Sequence, residues 1–365
     1  MTKKEYIEQL THALTPFSAS TQAEVLEDYE AHFAAGLDSG RSEDEICSEL
    51  GPIEIFIEEL SQMEPTAKPA CMPAVSQQID NSHQESSKPR EHYVSNASRL
   101  ELNGLHADVS LAPSSDGQFH IYYECHGTER QKAQYQFYFR EEGDTIYAGV
   151  RKFKTFSGLF ASLAAPSISL NVYIPASMTE IIAETVSGDI DADRFRVPAL
   201  HLSSTSGDIS CDRTDTQLLE VRSTSGDIDE DHLYTAKLLT STVSGDITVD
   251  AAHFDSCELS TVSGDIEMNI RSDSTVSINT VSGDADLYLY AGIQGSIGTV
   301  SGDIEINLES THAGFSIDCS TVSGDIEIGH NATSQHYRHG AHAEIAGEGR
   351  YELALSTTSG DITVF

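Results

Sequence analysis

The chain has 365 residues, with 21 Lys and Arg against 58 Asp and Glu, a formal net charge of −37. A surface this acidic argues against nucleic acid and anionic lipid as direct partners. No run of about 18 apolar residues is present to cross a membrane as a helix.

Residues 1–62 read as a small all-α domain. Thr2 and Glu5 have capping-box spacing, and Tyr6, Leu10, Ala13 and Leu14 follow at helical period until Pro16. A second helix presents Val25, Leu26, Tyr29, Phe33 and Leu37. Ser42 and Glu45 repeat the capping box ahead of Ile46 and Leu50, and Gly51-Pro52 separates this third helix from a fourth bearing Ile53, Phe56, Ile57 and Leu60. So small a bundle gains from docking onto a partner. The run Lys4-Glu5-Tyr6, Asp28-Tyr29-Glu30, Gly40, Ser42 to Glu45 and Leu50-Gly51-Pro52 resembles the HAAS-type signalling domain of bacteria. That resemblance implies a protein partner, either a PadR-like transcription regulator or an envelope protein, and a place in cell-envelope signalling. The common pattern carries a transmembrane helix that this chain lacks. MTKKEYIEQL has no apolar signal-peptide core. The expected location is therefore the cytoplasm, with peripheral membrane contact allowed; the cell surface is the alternative.

Residues 63–91 hold Pro65, Pro69, Pro73 and Pro89 among polar residues without periodicity, and read as a flexible linker. Residues 92–180 alternate as strands but do not repeat, which suits the atypical cap that a solenoid end requires. Tyr135–Phe139 and Ile146–Val150 around Glu142-Gly143-Asp144 predict a hairpin, and Ile168–Ile174 a further strand. Between these lies an apolar stretch with Phe153, Phe156, Leu159, Phe160 and Leu163. It reads either as a cover for the open end of the core or as a patch that touches a partner or a membrane.

Residues 181–365 are organised by Ser-Gly-Asp. Seven copies recur every 19 residues, from Ser187 to Ser301, and two more begin at Ser323 and Ser359, after steps of 22 and 36. A fixed period near 20 predicts a single-stranded parallel β-solenoid with one repeat per coil. Aligned on the Ser, apolar columns stand six and four residues before it and three and five after it, the spacing of strands with one inward face. The column three after the Ser is Ile in nearly every copy, with Ala285 the smaller exception. Gly is expected at the corner for positive φ. The residue two before each Ser is Thr or Ser, from Thr185 to Thr357, and predicts a hydroxyl ladder. The iterated Thr-Val-Ser-Gly-Asp-Ile, as in Thr242–Ile247, Thr261–Ile266 and Thr321–Ile326, is similar to the bacterial "putative adhesin" β-strand-repeat family. That resemblance implies a β-repeat fold, spans residues 93–365, and brings no established activity.

The corner column Asp189, Asp208, Asp227, Asp246, Asp265, Asp284, Asp303, Asp325 and Asp361 stacks like charges at coil spacing. Turn capping with solvent screening is the first reading and a row of Ca²⁺ contacts the second. No metal site or cofactor is otherwise expected. His330, His336, His339 and His342 lie in the longer step and read as a polar surface loop. Cys257 and Cys319 occupy inward columns, Cys211 aligns with Val249 and Met268, and none of the six Cys forms a CxxC pair; buried free thiols are expected. Residues 181–365 contain only eight Lys and Arg, scattered along the coils, so no acid–base constellation of a polysaccharide-active enzyme assembles. The expectation is a non-enzymatic interaction protein of the cell envelope, with a surface adhesin or glycan-binding rod as the alternative. The inward assignment predicts that Ile266→Asp lowers the melting temperature, followed by circular dichroism, by several degrees or more. An unchanged melt would place that column on the surface.

Overall fold

The computed structural model describes residues 2–17, 22, 25–26, 29–30, 33, 37, 41–50, 53, 57, 97–132, 134–152, 166–194, 196–308, 312–329, 332–337 and 339–365. The chain divides into two compact units, one helical and one all-β. The predicted linker 63–91 and the apolar residues Phe153, Phe156, Leu159, Phe160 and Leu163 lie outside the described residues.

In the helical unit, α1 (Lys3–Ala13) begins at the predicted box: the Thr2 hydroxyl accepts from the Glu5 N–H and the Glu5 carboxylate accepts from the Thr2 N–H. Ahead of α2 (Glu43–Leu50), Ser42 and Glu45 make the same reciprocal pair. Each box satisfies N–H groups that a helix start leaves without partners. Tyr6, Leu10, Tyr29, Phe33 and Ile46 are fully buried together, with the Tyr6 ring stacked on Tyr29 at 5.7 Å. Most of the predicted second and fourth helices lies outside the described residues.

Among the described residues, this unit contains 25 strands, β1 (Arg99–Leu105) to β25 (Ile362–Val364), and one short helix, α3 (Glu129–Lys132). Two sheets share one core. The first holds the strands that precede each Ser-Gly-Asp corner and the second those that follow it. Neighbouring coils pair in parallel with the motif in register: Ile209 faces Ile190 on one side and Ile228 on the other. Strand β14 (Ile247–Ser260) runs through both sheets. The predicted inward columns are buried, from Ile181 and Leu200 on the first sheet to Ile266 and Met268 on the second. The predicted hairpin is β4 (Tyr135–Glu142) with β5 (Thr145–Lys152), turning at Gly143.

Both ends of the stack depart from chain order. Strand β1 lies between β5 and β7 (Glu180–Thr185), and β2 (Asp108–Pro113) between β6 (Ser167–Ile174) and β8 (Ile190–Asp193). The first coil thus ends up as the second rung. At the other end, β24 (Glu348–Ser356) lies between β18 (Ile293–Gly298) and β20 (Ala313–Ser320), and β25 between β19 (Ile304–Asn307) and β21 (Ile326–Ile328). The last coil in sequence therefore fills the penultimate rung. The step of 22 passes over one rung, and the step of 36 holds an inserted hairpin and leads back to that rung. Antiparallel strands finish the ends: β3 (His120–His126) on β6, β4 on β5, and the hairpin of β22 (Ala332–Tyr337) and β23 (Gly340–Ile345) on β20. Such strands cover edges that would otherwise accept another chain. The His-bearing segment expected as a loop is this hairpin.

The repeat glycines serve a different purpose from the one expected. None has positive φ. A Cβ built on Gly264 would collide with the carbonyl oxygen of Gly245, and the same overlap recurs from Gly188 to Gly360. Glycine is required because stacked corners bring backbone against backbone. Positive φ falls instead at a second corner, on Arg194, Arg213, His232 and Ala251, at 49° to 59°. Gly264→Ala should therefore destabilise the fold by about 1–3 kcal/mol or more through overpacking. Ala251→Gly should leave the melting temperature unchanged or raise it, because its left-handed backbone already suits glycine. Equal effects of the two substitutions in thermal melts would refute this division.

Candidate functional site

The predicted Asp column is assembled in full by the stack. Each Asp stays exposed and presents its Oδ1 to the backbone N–H of the Asp on the next rung. The chain of bonds starts at Asp108, which accepts from Asp189 at 3.3 Å, and continues at 2.8–3.0 Å from Asp189 to Asp303. It then passes to Asp361 and ends at Asp325, each step 2.7 Å, which reproduces the intercalated rung order. One carboxylate oxygen thus caps each turn, and a charge-assisted bond to backbone N–H is among the stronger hydrogen bonds.

The Thr/Ser column behind it is buried but forms no chain of hydroxyl-to-hydroxyl bonds. Each hydroxyl works within the corner: Thr261 Oγ1 accepts from the Gly264 N–H and donates to the carbonyl of Gly245 on the rung below, at 3.1 and 3.3 Å. Thr299 and Thr357 repeat that donation to Gly283 and Gly302, at 3.1 and 3.0 Å.

Two further columns join the Asp ladder on the outer face of the second sheet. Asp191, Ser210, Asp229, Thr248, Glu267, Asp286, Glu305, Thr363 and Glu327 stand opposite one another along the stack. Beside them run Asp193, Asp212, Asp231 and Asp250. A shallow notch lined by Asp108, Ser110, Ser169, Asn171, Asp189 and Asp191 lies where the corner column and the one next to it begin. The result is an open, strongly acidic sheet surface. Burial, then Asp193 and Asp212, pushes the Asp191 carboxyl up; burial, then Glu305, Asp284, Glu267 and Asp265, does the same for Asp286. The outer face of the first sheet differs. It carries Ser203, Ser241, Ser260, Ser277 and Asn279 among charged side chains of both signs, some of which meet: His201 with Glu220 at 2.7 Å, Arg222 with Glu220, and Arg99 with Glu180 at 2.8 Å.

Other sequence candidates resolve separately. His336 and His339 are exposed on the β22–β23 hairpin, whereas His342 bonds Asp318 at 2.8 Å and Glu344 at 3.2 Å; those two bonds raise its imidazolium pKa. His330 lies outside the described residues. Cys47, Cys211, Cys257 and Cys319 are buried free thiols, and burial pushes Cys211 and Cys319 up to about 12. Cys71 lies outside the described residues. At the second corner, carboxylates of Asp212 and Asp231 and the imidazole of His232 come within 4.8 Å of one another, but Arg213 holds Asp212 through both Nε and Nη2 and His232 lies 2.6 Å from Asp231. These are ion pairs of the corner.

The Asp column is legible in the repeat and the two beside it are not, because Asp191, Asp229, Glu267 and Asp286 look like ordinary outward strand positions until the rungs align them. Glu230 and Thr240 break two otherwise apolar inward columns, a signal present in the aligned repeats. Glu230 is 1% exposed and Thr240 2%.

Against this geometry, residues 97–294 and 290–365 match the family model described as Toastrack DUF4097. The chain belongs to the Toastrack DUF4097 family. Residues 5–59 match the HAAS family model. No curated protein matches the chain. Three solved structures are similar to its Toastrack unit. They are a Parabacteroides distasonis protein described as a "putative lipid binding protein" (16% identity, 76% of this chain and 96% of that one, TM-score 0.47), a Bacteroides fragilis "putative adhesin" (13%, 76% and 95%, 0.39) and a Parabacteroides merdae "putative adhesin" (10%, 76% and 95%, 0.31). The Toastrack unit is mainly β and solenoid-like. Among the described residues no helix is long and apolar enough to cross a membrane.

Asp286→Asn should raise the melting temperature at pH 7 and low salt, since it removes a carboxylate whose charge is disfavoured first by burial and then by its acidic neighbours. The sign follows from the raised carboxyl pKa: the fold loses stability as pH rises through that group's titration, so the gain should vanish near pH 4. It should also shrink above about 0.1 M salt. A gain insensitive to pH and salt would mean that charge repulsion is not its source.

Proposed function

We propose that this chain is a non-enzymatic interaction protein whose solenoid, one coil per 19-residue repeat, presents its acidic sheet face to a cationic protein surface. The observation that carries this reading is the alignment of three acidic columns on one open face, while the opposite face mixes Ser with side chains of both charges. An open sheet with charges at fixed spacing suits recognition of a complementary surface and speeds encounter with it. The HAAS-matching helical unit is the second docking element, for a PadR-like regulator or an envelope protein, and the role is in cell-envelope sensing or its regulation, from the cytoplasm or the membrane periphery. Two features speak against catalysis: the buried thiols Cys211, Cys257 and Cys319 are held away from the thiolate form, and the carboxylates lie on an open face.

Binding of a fluorescent Lys-rich peptide, read by anisotropy, tests the acidic face. Neutralising Asp229, Glu267, Asp286 and Glu305 together (to Asn or Gln) should weaken binding at least tenfold. Removing the same charge at Glu184, Glu258, Glu348 and Glu352 should change it little. Equal losses from both sets would reduce the interaction to net charge and overturn the assignment. Protease and thiol-label accessibility in intact cells against lysates tests the location. Exposure on intact cells would favour an adhesive role instead.

A further inference from the structure

We propose that Glu230 is a proton-gated latch in the core of the solenoid: protonated, it lets the two sheets close over it, and on losing that proton it loosens the stack at its rung.

In register along the second sheet, the column containing Glu230 reads Ala192, Cys211, Glu230, Val249, Met268, Leu287 and Ile306. Across the core, the column containing Thr240 reads Ala183, Leu202, Val221, Thr240, Leu259, Ile278 and Ile297. Each column is interrupted by a hydrogen-bonding side chain that finds its partner in the other: Thr240 Oγ1 donates to Glu230 Oε1 at 2.8 Å. The polar pair is therefore matched across the sheets.

Among the described residues, that one bond leaves Glu230 Oε2 buried without a hydrogen-bond partner. A carboxylate in such a place would carry a full charge with one donor, whereas the acid form carries none. The titratable groups that face it offer no compensation. Cys211 lies beside it on the neighbouring rung, and Cys257 of β14 is buried near enough for Glu230 to raise its thiol pKa further, after burial as the main cause. Val249 flanks the other side, and Lys237, on the same strand as Thr240, is exposed. Burial pushes the Glu230 carboxyl up to about 8, with the Thr240 bond opposing.

The sign follows. The unfolded or opened chain releases this proton near the ordinary Glu value of about 4.3, and the closed stack holds it to about 8. Stability from the closed latch is fully present below the lower value. It falls as pH rises between the two, by up to about tenfold in the opening constant per pH unit for one proton. A hydrophobic residue would give a pH-independent rung here, as Val249 and Met268 do on the rungs that follow.

The test compares the full-length protein with Glu230→Gln, which keeps the acceptor for Thr240 and cannot ionise. Native-state hydrogen exchange of β12 (Ile228–Asp231) and β13 (Tyr234–Ser241) is read from pH 5 to pH 9. The ratio of wild-type to variant opening constants should climb with pH from pH 5, rise well over tenfold by pH 8, and level off above it. All other acidic groups are common to both proteins and cancel in the ratio. A flat ratio overturns the proposal. Infrared titration of the wild type gives a readout that does not depend on the variant folding. A protonated-carboxyl stretch should persist at pH 6.5 and disappear by pH 9, and its absence at pH 6.5 would equally overturn the latch.

Discussion

Everything in the Toastrack unit depends on how closely one Ser-Gly-Asp corner sits on the next. The carbonyl of each repeat glycine occupies the space where the next glycine would carry a side chain. That approach brings the following Asp N–H onto the carboxylate below, and the buried Thr or Ser hydroxyl onto the glycine carbonyl below. Two side chains and a glycine carbonyl of each repeat thus join it to the next rung. The strands on either side are held in register by this corner, and with them every inward column of the core. A slip by one residue would turn those columns outward.

The same spacing creates the electrostatic character of the protein. Parallel rungs lie about 4.8 Å apart, so identical residues in successive repeats become near neighbours. An Asp that caps a turn in one coil becomes a row of carboxylates in the stack. The backbone N–H groups offset part of that repulsion for the corner column, whereas in the adjacent column burial and then acidic neighbours push the Asp286 and Asp191 carboxyls up. Surface charge and structural bonding are therefore products of one repeat geometry, and the acidic face coexists with a Ser-rich face in which Arg99, His201 and Arg222 are paired.

Stacking also explains why a single rung can carry a polar pair. Each coil contacts chiefly its two neighbours, so a repeat protein tolerates a weak unit between strong ones. Ile190, Ile209, Ile247 and Ile266 form an unbroken apolar line past the rung of Glu230 and Thr240. The stack stays closed around that pair while its own stability becomes sensitive to a proton.

The sequence by itself determined what is local or periodic. The capping boxes at Thr2 and Ser42, the β4–β5 hairpin and the alternating burial of Ile247, Val249 and Leu259 all follow from spacing, because a cap, a turn or a strand face is decided within a few residues. The Asp column was legible for the same reason. Only the tertiary structure decided how rungs are ordered and what meets across them. Nothing in the spacing of Ser301, Ser323 and Ser359 says that β24 and β25 enter between strands already laid down, since pairing of that kind depends on which edge is open when the chain returns. The acidic face and the Glu230–Thr240 bond belong to the same class. They arise between residues of different strands, and the physical cause is the stacking distance and the closed core rather than any local preference of the chain.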